Sequence, residues 1–289
     1  MKISPSPLKT SILTGFTLIA FAANSLFTRM ALGAGSIDAA SFMTIRLISG
    51  AAMLLAITTF SQGRPARPVQ AKWTAALMLF LYAIAFSFSY LQLAAGTGAL
   101  ILFGSVQVTM ILVALKQGEN PKTLEWVGLL LALMGLVYLV SPGLAAPPVA
   151  GAALMVIAGV AWGVYSLLGR GAKDPLANTT ANFVRAAPLA LGVSLVSLPS
   201  LQVSLPGITL ALLSGALASG LGYALWYAAL RGLTATRAAT VQLAAPVLAA
   251  VGGILFLQEA LSLRLVLASL MILGGIGLAV MGRRDQLQG

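Results

Sequence analysis

The chain has 289 residues, of which 59% are hydrophobic and 8% charged, against about a quarter charged in an ordinary soluble domain. It carries 17 Lys plus Arg against 6 Asp plus Glu, a net charge of +11, and neither Cys nor His. A soluble fold would lack the polar groups to cover its surface, and disulfides, thiol chemistry, Cys or His metal ligands and imidazole relays are all excluded.

Apolar runs of about 20 residues, each long enough to cross a bilayer as a helix, recur along the whole length and predict an all-α integral membrane protein with ten transmembrane helices. The first span, 11–32, follows Lys2 and Lys9 and carries Asn24 at mid-depth. Its basic start and small-residue end (ALGAGS, 31–36) resemble a cleavable signal peptide. The run is long for a signal core, however, and the repeat described below needs it as a helix. A turn at Gly33 to Gly35 leads to span two, 38–60, with Arg46 inside it. The QGRPARP run at 62–68 separates it from span three, 73–94. There Tyr82, Phe86 and Tyr90 stand four apart and share one helix face, while Phe88 points elsewhere.

Span four, 97–115, holds Gln107, and GENP at 118–121 precedes span five, 124–141. SPGLAAPP at 141–148 leads to span six, 149–169, with Gly159, Trp162, Gly163 and Tyr165. KDP at 173–175 opens span seven, 177–198, which contains Arg185 and Pro188. After LPG at 205–207 comes span eight, 208–230, where Tyr223, Trp226 and Tyr227 again fall on one face. Span nine, 237–257, carries Gln242 and Pro246, and span ten is 263–281. Every connection is short, leaving no room for a soluble catalytic domain.

Lys and Arg in the short loops set the orientation. With the N-terminus inside, thirteen basic residues fall on the cytoplasmic side, and Arg29 and Arg264 alone on the outer side. Both termini are expected in the cytoplasm of a bacterial cell, with the chain in the inner membrane. The basic balance is then a topology signal, and no nucleic-acid partner is expected.

The rare charged and special residues also recur at a near-constant offset. Arg29 and Arg170 are 141 apart, Arg46 and Arg185 139, Glu119 and Glu259 140, and Gly135 and Gly275 140. The chain therefore divides into 1–146 and 147–289, five spans each, and because five is odd the second half enters the membrane inverted. Inverted repeats give two pseudo-equivalent arrangements around a shared midplane site, which is a physical argument for transport.

No carboxylate lies near the middle of a span: Asp38, Glu119, Glu125, Asp174, Glu259 and Asp285 all fall at helix ends or in loops. Paired carboxylates, metal clusters and a Ser-His-Asp arrangement are unavailable, so the chain is not expected to be an enzyme or to hold a cofactor or metal. GAGS, GTG and SGLG lack the Lys and strand context of a phosphate-binding loop. Ion-driven carriers usually bury an acid along the path. The absence of one predicts uniport-like movement down a solute gradient, and it argues against cationic cargo.

Amides at depth are costly unless bonded, so Asn24, Gln107 and Gln242 are expected to face the bundle interior as interhelical bonds or solute contacts. Pro246 and Pro188 weaken local helix bonding and are candidate gating bends. Gly159 and Gly163 are read as close-packing positions. Arg46 and Arg185 are expected to snorkel toward a headgroup region or bond helix-end carbonyls, the alternative being a solute carboxylate. Tyr90, Trp226 and Tyr227 are near enough to span ends for an interfacial belt. Tyr82, Phe86, Trp162 and Tyr223 sit deeper and are the candidates for lining a cavity, where a Tyr or Trp polar tip finds a partner.

Several of these residues resemble a known family. Trp162-Gly163 with Arg170, Asn24 with Arg29, Arg46 and Arg185 early in the second helix of each half, and Pro246 followed by Gln258-Glu259 are similar to the drug/metabolite transporter superfamily. The likeness is to its ten-span EamA-type exporters, most of all those of aromatic amino acids. Phe21-Ala22 stands where Trp-Gly is usual, and Val106 where proline is usual. The resemblance implies a ten-helix bundle around a central cavity that exports amino acids, other metabolites or drugs. The expectation is thus a monomeric exporter of aromatic or large apolar amino acids. Nucleobase or drug carriage, proton coupling or a channel-like path are the alternatives.

Overall fold

The computed structural model describes residues 6–62, 73–116, 123–143, 145–169, 172–233, 238 and 241–284. Among them, eight helices are long and apolar enough to cross a membrane, and two shorter apolar helices lie between these. In chain order they are α1 (Pro7–Gly33), α2 (Ala39–Gln62), α3 (Trp73–Ser89), α4 (Ala95–Lys116) and α5 (Thr123–Val140). There follow α6 (Val149–Gly169), α7 (Pro175–Val196), α8 (Leu205–Leu230), α9 (Ala244–Leu257) and α10 (Leu263–Arg284). Arg64, Arg67, Lys72, Glu119, Lys122, Arg170 and Arg237 lie outside the described residues.

The helix starts follow from capping. Ser6, Asp174 and Ser204 each accept a backbone N–H from the first turn of α1, α7 and α8, and each is followed by a proline within two residues. Side-chain oxygens there satisfy donors that a bilayer cannot, and proline gives up an N–H that has no helical partner anyway. These caps explain why α1, α7 and α8 begin two to four residues before the apolar runs do. Buried hydroxyls are satisfied in the same local way. Thr14, Thr28 and Thr109 donate to the carbonyls of Thr10, Asn24 and Ser105, four residues back, at 2.7–2.8 Å. A threonine can therefore sit inside an apolar bundle without an interhelical partner.

The middle of α8 departs from α geometry: Leu213–Leu221 forms a π-helix flanked by α-helical turns. Gly215 and Gly220 in this segment bring its backbone against α2, where an added Cβ on Gly215 would meet the Arg46 backbone. The wider turn and the missing side chains act together. Nothing in the apolar pattern of span eight announced it, since hydropathy does not register a change of helical pitch.

The halves interlock. α3 packs on α6 and α8 on α1; α4 packs on α6 and α9 on α1; α3 packs on α7 and α8 on α2. The pairs α2–α7, α4–α9 and α5–α10 complete the bundle. Small residues permit the closest crossings: Gly159 and Gly163 lie against Ser105 and Thr109 of α4, and Gly128 lies against Gly275 between α5 and α10. Outward faces carry Met134, Val137, Leu255 and Leu270, an apolar perimeter suited to lipid.

One face of the bundle is tied shut. Asp38 N–H donates to the Gln202 carbonyl at 2.8 Å and Ser204 N–H to the Ser36 carbonyl at 3.0 Å, and Ile37 bridges Val203. On the same face Arg29 stands 3.8 Å from Glu259, whose two oxygens accept the Ala95 N–H that begins α4. A carboxylate at that N-terminus also meets the favourable end of the helix dipole. Arg264 donates to the carbonyls of Tyr138, Leu139 and Ser141 at the end of α5. Arg29 also donates to the Tyr90 carbonyl just past α3 at 3.1 Å, so the two arginines expected at the outer interface are both engaged with helix-end carbonyls.

Tyr90 corrects an expectation. It is not an interfacial anchor: its ring is fully enclosed, edge-on to Phe86, and its hydroxyl donates to the Ala95 carbonyl. The chain turns back directly after α3, and the absence of a side chain at Gly98 makes room for the ring. Trp226, buried, and Tyr227, half-buried, likewise turn inward from near the end of α8.

Gln258 ends α9 in the left-handed region, at φ 54° and ψ 32°. A side chain there costs roughly 1 kcal/mol that glycine avoids. Gln258→Gly is expected to raise the thermal midpoint of the detergent-purified protein, and an unchanged or lower midpoint would show that Gln258 is not strained.

Candidate functional site

The bundle encloses a cavity of about 400 Å³, within the usual range for a small-molecule site. Its wall is largely aromatic. From α3 come Tyr82 and Phe86, from α6 Trp162 and Tyr165, from α8 Tyr223, Trp226 and Tyr227, and from α1 Phe21. Trp162 is the hub of these rings. It stacks on Tyr223 at 5.3 Å and 22°, and its centroid lies 4.8 Å from Tyr82 and 5.2 Å from Tyr165. Helical spacing brings this about: residues three and four apart on each helix turn one face inward, and three such faces converge.

Two polar clusters interrupt the aromatic wall. In the first, Asn24 donates to the Tyr82 hydroxyl at 3.4 Å and accepts from the Ser214 hydroxyl at 2.6 Å. Arg46 donates to the Tyr82 hydroxyl at 2.8 Å through Nη2 and to the Ser219 hydroxyl at 3.4 Å through Nε. Ser214 and Ser219 both belong to the π-helical segment, so that distortion is what turns two hydroxyls toward α1 and α2. In the second cluster, Tyr165 donates to the Thr179 hydroxyl at 3.4 Å, Thr179 shares a 2.8 Å bond with the Tyr227 hydroxyl, and Asn182 donates to Tyr165 at 3.5 Å.

The wall runs on to Gly169, Ala172 and Pro175 at the link between α6 and α7, and to Leu230 and Gln242. The turn after α8, at Gly232, lies against Thr10 at the start of α1, so this is the face where the chain begins. It is opposite the tied face. No acidic side chain lines the cavity among the described residues; Glu125 is in the first turn of α5 and Glu259 is on the tied face.

Of the residues singled out in the sequence, Asn24, Tyr82, Phe86, Trp162, Tyr223 and Gln242 line this one space. Gln107 does not. Leu102, Phe103, Val106 and Met110 form the inward face of α4, and Gln107 is rotated past its edge, though buried. Pro188 lies within α7, exposed on the outer surface of the bundle. Pro246 is in the first turn of α9, behind a break at Leu243. Proline offers no N–H to the Gln242 carbonyl four residues back, and its ring crowds that carbonyl, which accounts for the break.

Arg46 is the largest departure from expectation. It does not snorkel: it is 1% exposed, inside the bundle. Arg185 is half-buried, over the ring of Trp73 at the start of α3. On α7, Asn182 was legible by the same amide-at-depth signal that marked Asn24. Ser214 and Ser219 carried no such signal, because a serine can satisfy itself on its own helix.

Residues 149–281 match the EamA-like transporter family. An uncharacterized protein of Pseudomonas aeruginosa is 52% identical over 275 residues, covering 95% of this chain and 96% of its own. An uncharacterized transporter of Archaeoglobus fulgidus is 29% identical over 170 residues, 56% of this chain and 57% of that one. A solved crystal structure superposes with a TM-score of 0.66 at 22% identity, over 93% of this chain and 99% of its own, which is a likeness of fold.

Proposed function

The chain belongs to the EamA-like transporter family, and from that premise we propose that it exports aromatic or large apolar amino acids and related small metabolites by alternating access. It is a multi-pass membrane transporter and not an enzyme. The observation that carries the substrate class is the convergence of α1, α3, α6 and α8 rings on a cavity of about 400 Å³ with amides and hydroxyls in its wall. Rings pack edge-on or offset against an aromatic side chain, and the polar groups orient the rest of the solute.

The proposed architecture is ten spans in two inverted five-helix halves, 1–146 and 147–289, in a bacterial inner membrane with both termini cytoplasmic. Supporting it, most packings between the halves have a counterpart when α1–α5 are exchanged with α6–α10: α3–α6 with α8–α1, and α4–α6 with α9–α1, while α4–α10 has none. With the basic face inside, the cavity opens to the cytoplasm and the tied face is the outer gate. Movement is uniport, since no acid lines the cavity among the described residues. The break ahead of Pro246 is the candidate bend for reversing the opening.

Purified protein in liposomes tests this directly. Labelled L-phenylalanine should show saturable counterflow without an imposed pH or sodium gradient. Failure with every aromatic and branched-chain amino acid would overturn the substrate class, and an absolute need for a gradient would overturn uniport.

The outer gate has its own test. Because the chain has no cysteine, a single Ser25→Cys reports on the cavity. Glu259→Ala removes both the Arg29 ion pair and the acceptor of the Ala95 N–H. It is expected to speed labelling of that cysteine by a membrane-impermeant maleimide applied from outside by roughly tenfold. Equal rates would show that this cluster does not hold the gate.

A further inference from the structure

Arg46 is enclosed with no anion paired to it among the described residues. Its guanidinium lies 5.2 Å from the centre of the Tyr82 ring and 4.8 Å from that of Phe86. Nη2 and Nε are bonded to hydroxyls, and Nη1 has no hydrogen-bond partner among the described residues. The ion pair of Arg29 with Glu259 is on the tied face. A buried charge of this kind is costly unless something compensates it. Ring faces and hydroxyl oxygens offset part of that cost and leave the net charge in place.

The surrounding hydrogen bonds all run in one direction. The Tyr82 oxygen accepts from both Arg46 and Asn24, so its own hydrogen has no acceptor among the described residues. The Ser219 oxygen accepts from Arg46, and its hydrogen is likewise unassigned. The Asn24 carbonyl oxygen is taken by Ser214, and its amide nitrogen carries a second hydrogen. Asn24, Tyr82 and Ser219 all line the cavity, with Arg46 directly behind them. This part of the wall presents hydrogens and a positive charge, and each of its acceptor oxygens already takes at least one hydrogen bond.

We infer that this wall receives the carboxylate of the transported solute, with Tyr82, Asn24 and Ser219 donating to it and Arg46 supplying the counter-charge from behind. A carboxylate accepts at four lone-pair sites and carries the missing negative charge. An amide accepts at two and carries no negative charge, and a protonated amine accepts at none. The rule deepens the transport proposed above and rests on it: the protein moves aromatic acids, zwitterionic or simple, and rejects their amides and their amines. Arg46 acts here as a positioning residue, through Tyr82 and Ser219.

Titration calorimetry on the full chain in nanodiscs tests it with L-phenylalanine, 3-phenylpropionate, L-phenylalaninamide and phenethylamine. The two acids should bind, with the amide and amine weaker by roughly tenfold or more. Arg46→Lys keeps the charge and should keep the preference for acids; Arg46→Gln should erase it. Should Arg46→Gln fail to fold, Tyr82→Phe gives the second reading: it removes one donor, and should weaken the acids by several-fold more than it weakens the amide. Equal binding of acid and amide by the unmodified protein overturns the carboxylate site and leaves transport of aromatic solutes standing. Binding of none of the four probes removes both. An equal loss of acid and amide in Tyr82→Phe would mark that hydroxyl as structural and overturn the assignment.

Discussion

Trp162→Ala is expected to lower counterflow of L-phenylalanine by roughly ten- to a hundredfold while the protein still inserts and purifies as a folded species. Trp162 joins rings contributed by α3, α6 and α8, through Tyr82, Tyr165 and Tyr223. Aromatic pairs contribute about 0.5–1.5 kcal/mol each beyond the area they bury. A solute ring entering this group makes comparable contacts, and truncation removes them along with the geometry of the remaining rings. The residue is only half-buried, facing a cavity, so its loss costs less stability than a tryptophan deleted from a closed core. Gln107→Leu is the matched control, a polar group at depth that does not line the cavity. It should change counterflow by no more than about threefold, the scale of an average interhelical hydrogen bond in a membrane protein. Similar rates for Trp162→Ala and the unmodified protein would overturn the assignment of this cavity as the solute site.

Two neighbouring glycines of α10 should respond in opposite senses to the same substitution. A Cβ on Gly275 would stand 2.5 Å from the Gly128 carbonyl oxygen and 2.6 Å from the Ala132 nitrogen. Both obstacles are backbone of α5, so the helices must separate, and Gly275→Ala should destabilise the protein by about 1–3 kcal/mol. A Cβ on Gly274 meets nothing within 4 Å. There Gly274→Ala gains helix propensity and should stabilise by up to about 1 kcal/mol. Thermal unfolding of the two variants in the same detergent separates them. Equal shifts would mean that the α5–α10 crossing is looser than described.

The two substitutions also divide what a sequence can tell. That Gly135 and Gly275 recur at equal spacing was visible in the sequence, and both lie on the α5–α10 crossing. That Gly275 meets Gly128 rather than Gly135 was not, since it depends on where two helices 147 positions apart come to cross. Asn24, Tyr82, Phe86, Trp162, Tyr223 and Gln242 were found because aromatic faces and buried amides are unusual at depth, and both follow helical spacing. Gln107 satisfied the same chemistry and failed by a rotation that spacing along one helix does not set.

By itself the sequence determined the class of protein, the helices, their order and the residues with reason to face inward. A bilayer makes that possible: each segment must satisfy its own backbone and match its neighbours in hydropathy, and both conditions are local. The tertiary structure alone decided that Arg46 is enclosed rather than snorkelling, that Tyr90 and Tyr227 turn inward, and that a π-helical stretch of α8 brings Ser214 and Ser219 to Asn24 and Arg46. Those outcomes depend on the rotation and pitch of helices far apart in the chain. Packing between them sets both, and no single segment contains that information.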